Sequence, residues 1–258
     1  MKRILKTFAV LPLFWCTVVT AQQKIYSVAN AHSHNDYLNL TPFRLAFLSG
    51  FGSIEADVFP VEGKLCVAHK KEEIQTRLTL KDLYIDPLVK EFTSSGPRKL
   101  SLLIDIKKNY FLSLSILMNE LAPLRPYLTT PGVANYITVI ISGERPVPAD
   151  YKNYPDYIFF DADLKFAHTE NEWERVALVS LPFNKISAWK GEGRLARKDK
   201  KKLRHIIDSI HTAGKPIRFW AAPDTKTSWK WQIKLHADLI GTDKINELRE
   251  YLRKKSGS

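Results

Sequence analysis

The stretch from Ser53 to His69, SIEADVFPVEGKLCVAH, puts two carboxylates and a histidine within reach of one another. The apolar and β-branched residues around the acids predict a strand over Ser53 to Val58, and side chains two apart on a strand share a face. Glu55 and Asp57 therefore point the same way. Two carboxylates on one face are costly to bury unless a cation or a shared proton neutralises them, which makes a hard divalent metal a natural occupant. Ile54, Ala56 and Val58 alternate with the acids and would pack against helices. Inward acids with outward aliphatics are the pattern of a parallel barrel strand; a solvated strand edge is the other reading of the same residues.

The elements that would position this pair follow an α/β rhythm from Val28 onward. A short strand ends at His32. A helix is expected over Thr41 to Ser49, with Thr41 as N-cap, Pro42 in its first turn and Gly50 closing it. After the acidic strand, Glu62-Gly63-Lys64 reads as a turn into a return strand, Leu65 to Ala68, and Thr79 to Phe92 reads as a helix broken by Pro87. Leu100 to Ile106 is a nearly continuous apolar run, the mark of a strand buried on both faces, and Asp105 and Lys107 at its end share a face. Further strands are expected at Tyr136 to Ile141, Tyr157 to Phe160, Ala177 to Leu181, Pro216 to Trp220 and Asp238 to Gly241. Helices are expected at Phe111 to Leu121 and Arg197 to His211. Eight strands alternating with helices in about 230 residues match the size of a TIM (β/α)8 barrel, a single domain over residues 22–258. A doubly wound open sheet has the same periodicity.

His32, Glu55, Asp57, Asp105, Lys107 and Arg145 all fall at or just beyond the ends of these strands, where barrel enzymes carry their active sites. Histidines, carboxylates and a lysine converging there suit a metal-assisted displacement at phosphorus. The cation and the lysine would stabilise phosphoryl charge while histidines move protons.

Of 258 residues, 45% are hydrophobic, enough for a full core. The N-terminus, MKRILKTFAVLPLFWCTVVTAQQ, has a basic start, an apolar run from Phe8 to Val19 and small residues before Gln22, so residues 1–21 read as a secretory signal peptide. The run is too short for a comfortable membrane span, and no transmembrane segment is expected in the mature chain. Cleavage after Ala21 removes three basic residues, leaving 36 against 27 acidic and lowering the net charge from +12 to +9. Cys16 lies inside the leader, so a mature chain holds only Cys66 and forms no internal disulfide. Export without disulfides points to a bacterial periplasmic or secreted protein, and the positive balance favours anionic partners such as phosphate esters or lipid headgroups. The basic run Arg197 to Arg204 is read as the solvated face of an amphipathic helix, given Leu195, Leu203, Ile206, Ile207 and Ile210 at helical spacing. With no aromatic interleaving there, no nucleic-acid partner is expected.

Ala31-His32 after a short strand, Glu55-x-Asp57, the Gly63 turn leading to His69, Ile104-Asp105-Ile106-Lys107 and the late Ile240-Gly241-Thr242-Asp243 together resemble the phospholipase C-like phosphodiesterase superfamily. The order is similar to the glycerophosphodiester phosphodiesterases. The His-x-His-Asn-Asp-Tyr run, His32 to Tyr37, looks like a secreted branch related to phosphatidylinositol-specific phospholipases. The resemblance implies a TIM barrel holding a divalent cation, Mg²⁺ or Ca²⁺, through Glu55, Asp57 and Asp105. It implies His32 and His69 as the acid/base pair, Lys107 facing the phosphate and Trp220 lining the alcohol part of a glycerophosphodiester- or phosphoinositide-like substrate. His34, Arg145 and Arg218 are further candidates for binding it, Arg218 and Trp220 also being able simply to fill the barrel. The chain departs from the glycerophosphodiesterase pattern in having Ser33-His34-Asn35-Asp36 after the first histidine and Asp105 in place of a commoner Glu.

Two other readings stand beside this one. His32-Ser33-His34 is also how amidohydrolase-like and polymerase/histidinol-phosphatase-like barrels begin a binuclear metal site, although such a site needs more late histidines at strand ends. A catalytically inactive barrel that binds a polyol or phosphoester is the non-enzymatic reading.

Overall fold

The computed structural model describes residues 25–256. The expected leader and Cys16 lie outside them. The strands are β1 (Ala31–Ser33), β2 (Ser53–Val61), β3 (Lys64–Val67), β4 (Leu100–Ile106), β5 (Ile137–Gly143), β6 (Ile158–Ala162), β7 (Val176–Pro182), β8 (Ile217–Trp220) and β9 (Ile240–Thr242). Eight of them run parallel in the order β8-β7-β6-β5-β4-β2-β1-β9, and a bridge between Arg218 and Leu239 joins the two ends, so the sheet is a nearly closed barrel. β3 is the exception, antiparallel to β2. Glu62 and Gly63 between them both have positive φ, 48° and 74°, which is the turn geometry whose twist matches a two-residue hairpin.

Between the strands run α1 (Arg44–Leu48), α2 (Asp86–Ser95), α3 (Tyr110–Glu120), α4 (Glu170–Glu174), α5 (Phe183–Ile186), α6 (Arg197–Thr212), α7 (Lys226–Leu235) and α8 (Ile245–Ser256). They cover the outside of the barrel, where Ile54, Ala56 and Val58 of β2 are fully buried with Leu102 and Ile104 of β4. Burying these aliphatics is what holds each helix to the sheet. α6 follows the same logic, with Leu203, Ile207 and Ile210 buried and its basic residues on the other face.

Two helix starts differ from expectation. Thr41 does not cap α1: the carboxylate of Asp36 accepts the Phe43 N–H, Phe43 takes φ 61°, and the helix begins at Arg44. Pro87 does not break a helix but sits in the first turn of α2, where its missing N–H costs nothing, after one turn of wider helix over Lys81–Ile85. No helix among the described residues is long and apolar enough to cross a membrane.

The barrel interior has two levels. Leu103 of β4, Ile140 of β5 and Leu178 of β7 form an apolar cluster of their own. Two positions further along the same strands, on the same inward face, come Asp105, Ser142 and Ser180. The strands thus turn from apolar to polar as they approach the mouth.

Candidate active site

His32 is the middle residue of β1, and its register partner on β2 is Ser53. The ring is 1% exposed. Its Nδ1 lies 2.7 Å from Ser53 Oγ and its Nε2 2.7 Å from Glu55 Oε2. From β8, Arg218 donates through Nη1 to the same Glu55 oxygen at 2.7 Å, packs that group against His32 Nε2, and donates through Nε to Ser180 Oγ at 2.7 Å. Burial, and then the Arg218 charge, push the His32 pKa down to about 4 against the pull of Glu55, so the ring is neutral at neutral pH. Burial alone would raise the Glu55 carboxyl, but Arg218 and the His32 hydrogen bond outweigh it and hold the carboxyl well below its usual range. Burial likewise opposes the Arg218 charge, and Glu55 and Asp161 outweigh it.

Asp57 and Asp105 are register partners on neighbouring strands. Lys107 spans them, its Nζ 2.8 Å from Asp57 Oδ2 and 2.9 Å from Asp105 Oδ2. Asp57 Oδ2 also accepts from the Tyr37 hydroxyl at 2.9 Å and lies 3.0 Å from Nδ1 of His69, whose side chain is half exposed. Burial, then the Glu55 charge, push the Asp105 carboxyl up, partly countered by Lys107. The seat of Asp105 depends on Gly143, the last residue of β5. Gly143 has φ +69°, and a Cβ there would fall 2.0 Å from Asp105 Oδ1 and 2.3 Å from the Ile106 carbonyl oxygen, so the carboxylate and a side chain cannot share the space.

Glu55, Asp57 and Asp105 each bond through one oxygen, and Glu55 Oε1, Asp57 Oδ1 and Asp105 Oδ1 have no hydrogen-bond partner among the described residues. One ligand atom from each acid lies within 4.8 Å of the others. Oxygens at about 2.3–2.6 Å from a Ca²⁺ ion can span that distance, so a hard cation fits the donor set. It is the one group of three or more His, Cys, Asp or Glu placed to hold a metal among the described residues, and it contains no histidine. His211, one of the late histidines that a binuclear site would need, is paired with Asp238 at 2.8 Å instead.

The remaining candidates stand around this cluster. His34 Nδ1 lies 2.8 Å from Asp243 Oδ1; burial opposes its charge, but the Asp243 hydrogen bond and Glu55 prevail and its pKa is raised. Arg145 pairs with Asp163 at 3.3 Å. Trp220, 46% exposed, stands at the end of β8. A cavity of 470 Å³ is lined by His34, Glu55, His69, Asp105, Lys107 and Arg145 together with Arg218 and Trp220. A neighbouring one of 210 Å³ shares His34, Arg218 and Trp220 and adds His32. With Asp57 bonded to Lys107 and His69, all ten residues singled out in the sequence meet at this end of the barrel.

Sequence reasoning missed Ser53, Asp161 and Ser180, and quoted Tyr37 and Asp243 within motifs without giving them a role. Asp161 carries a usable signal, since it ends the apolar run Ile158-Phe159-Phe160 just as Asp105 ends its own. It is 3% exposed, accepts from Ser142 Oγ at 3.1 Å, and burial pushes its pKa up to about 6 against the pull of Arg218. The serines carry no such signal, because a serine in a strand reads the same whether or not it holds a histidine or an arginine.

Residues 20–99 match the AIM6-like phosphodiesterase domain family. The chain is 32% identical over 261 residues to an altered inheritance of mitochondria protein 6 homolog from the fungus Arthroderma benhamiae, covering 85% of this chain and 82% of the relative. Among solved structures it is similar to a calcium-dependent phosphoinositol-specific phospholipase C from a Pseudomonas species, with TM-score 0.56, 11% identity and coverage of 86% of this chain and 92% of the other. It is also similar to an Oleispira antarctica phosphodiesterase in complex with the product sn-glycerol-3-phosphate, with TM-score 0.52, 12% identity and coverage of 81% and 87%. At such identities the likeness shows the fold alone, a TIM barrel shared with these two proteins. The relatives correct one expectation: they are fungal proteins named for mitochondrial inheritance, so the assignment to a bacterial periplasm or secretome does not stand. A basic start followed by a short apolar run is a property of targeting segments in many compartments and carries no address by itself. With 32% identity to the Arthroderma protein over 85% of this chain and 82% of that relative, and with residues 20–99 matching the family model, the chain belongs to the AIM6-like phosphodiesterase family.

Proposed function

We propose that this barrel is a metal-dependent phosphoric diester hydrolase acting on a small or lipid-headgroup phosphodiester of the glycerophosphodiester or phosphoinositide kind. The observation that carries the reading is the cluster of Glu55, Asp57 and Asp105, each with one oxygen open, beside Lys107 on the wall of a 470 Å³ cavity. The three acids would hold Mg²⁺ or Ca²⁺, and the ion would supply Lewis-acid stabilisation of phosphoryl oxygens when bound. Lys107 offers a second fixed positive charge to a non-bridging oxygen, with no reorganisation needed as charge develops. Arg218 keeps Glu55 ionised and fixes its direction. His69 is oriented through Nδ1 by Asp57, which leaves Nε2 for proton transfer, and His32, held against Glu55, is the second proton carrier. His34, Arg145 and Trp220 line the space for the groups flanking the phosphate. The likeness to a calcium-dependent phospholipase and to a phosphodiesterase holding sn-glycerol-3-phosphate supports both the ion and the substrate class.

The test is turnover of a panel of phosphodiesters, including glycerophosphocholine, glycerophosphoinositol and bis(p-nitrophenyl) phosphate, with Mg²⁺, with Ca²⁺ and with chelator. Metal-dependent release of a phosphomonoester supports the reading. Tight phosphoester binding without turnover under any of these conditions would make the protein a binding barrel instead.

A further inference from the structure

We propose that the mouth of the barrel docks on an anionic lipid bilayer, so that the acidic cluster opens directly onto a membrane surface. Eight of the twelve large hydrophobic residues exposed among the described residues lie at the C-terminal ends of barrel strands or in the loops and first helical turns that follow them. Leu38 and Leu40, 73% and 103% exposed, follow β1; Phe111, 74% exposed, follows β4; Leu164 and Phe166 follow β6; Trp220 ends β8. Leu112, in the first turn of α3 after β4, and Val147, on the loop after β5, complete the set. In a parallel barrel all of these loops stand at one end, and the strand order distributes β1, β4, β5, β6 and β8 around the circumference. The exposed side chains therefore ring the cavity rather than forming one groove. A ring of protruding apolar tips around an opening suits a deformable, laterally continuous apolar phase better than a compact protein partner.

Charge selects the kind of surface. The segment from Lys185 in α5 to Lys198 at the start of α6, which follows β7 at the same end, carries five cationic residues and one acid, these six all exposed. Two of them, Arg197 and Lys198, occupy the first turn of α6, where the helix dipole disfavours positive charge. Lys108 adds exposed charge beside Phe111, and Lys165, paired with Asp163 at 2.9 Å, stands beside Phe166. Basic residues interspersed with apolar tips are the combination that binds anionic lipid headgroups. The other end of the barrel has only scattered exposed hydrophobics, such as Val133 and Tyr136 before β5. The inference extends the phosphodiesterase reading, since the same mouth carries the acids, but docking does not require turnover.

The experiment is hydrogen exchange of the full chain with and without vesicles of phosphatidylcholine, alone or mixed with phosphatidylserine, followed by vesicle co-sedimentation of Leu40→Glu/Phe111→Glu and of Val133→Glu. Localised readout matters because the apolar N-terminus can bind vesicles independently. The expected result is protection of segments 36–42, 108–114 and 162–168 with the mixed vesicles, weakened by salt. The double variant should lose that protection and at least tenfold of its salt-sensitive binding while retaining its melting temperature, and Val133→Glu should behave as wild type. Protection confined to other segments, equal binding by all three proteins, or a dimer in the ultracentrifuge that the double variant abolishes in the absence of vesicle protection would each overturn the proposal. Hydrolysis of the soluble p-nitrophenyl diester separates the two claims: protection at the mouth without any turnover would uphold docking and remove the phosphodiesterase reading, whereas turnover without protection would do the reverse.

Discussion

The lower and upper levels of the barrel interior are built from the same strands, two residues apart, and answer to different demands. Below, Leu103, Ile140 and Leu178 close the lumen with apolar contacts. Above, Asp105, Ser142 and Ser180 occupy the equivalent positions one pleat later, among Glu55, Asp57, Asp161 and Arg218. The lower level contributes stability and asks only for the right volume. The upper level concentrates buried charge that must be paired to be tolerated, and Arg218 and Lys107 pair it. A fold optimised for stability alone would have continued the apolar floor upward.

Substitutions in the two levels should therefore separate activity from stability. The largest effect is expected at the histidines: His32→Ala and His69→Ala should each lose about 10²–10⁴-fold in kcat with metal binding retained in calorimetry. A p-nitrophenyl leaving group needs no proton, so such a diester should rescue the variant that lacks the acid and not the one that lacks the base. Equal rescue of both, or wild-type rates in either, would remove the paired mechanism.

Arg218→Leu comes next. It leaves Glu55 buried at 3% exposure without its cation, and breaking such a pair costs roughly 3–5 kcal/mol, read as a lower denaturation midpoint. If the midpoint does not move, the pair is not the neutralising contact described above. Leu103→Ala, in the floor, should destabilise by about 2–5 kcal/mol while the surviving folded fraction keeps its metal affinity and specific activity. Loss of activity in the folded fraction would mean that floor and site are coupled.

The smallest effect concerns Asp161. Its pKa in the fold, about 6, lies above the ordinary carboxylate value, so the folded state binds a proton more tightly than the unfolded chain and stability is lost as pH rises toward 6. Asp161→Asn removes that loss. It should raise the melting temperature at pH 8 relative to wild type and have little effect at pH 3.5, and the same gain at both values would show that ionisation is not the cause.

Much of this division is legible in the sequence. Period-two alternation set Glu55 and Asp57 inward with Ile54, Ala56 and Val58 outward, and the polar ends of apolar runs marked Asp105 and Lys107. Other features are not, because they depend on residues far apart in sequence. That Arg218 neutralises Glu55 follows from closure of the barrel between β8 and β1, which no local pattern encodes. The late start of α1 follows from Asp36 capturing the Phe43 N–H, a contact that outcompetes the local preference of Thr41 for an N-cap. The fungal relationship lay outside anything a leader's composition can specify.

The central claim, that three acids on two adjacent strands hold a divalent cation, is tested most directly by titrating Mg²⁺ and Ca²⁺ into the wild type, Asp57→Asn and Gly143→Ala by calorimetry. The wild type should bind one ion per chain. Asp57→Asn should lose most of that affinity by removing a donor, and Gly143→Ala should weaken it by displacing Asp105 from the space its carboxylate now fills. Unchanged binding in Asp57→Asn, or no binding by a folded wild type, would contradict the account.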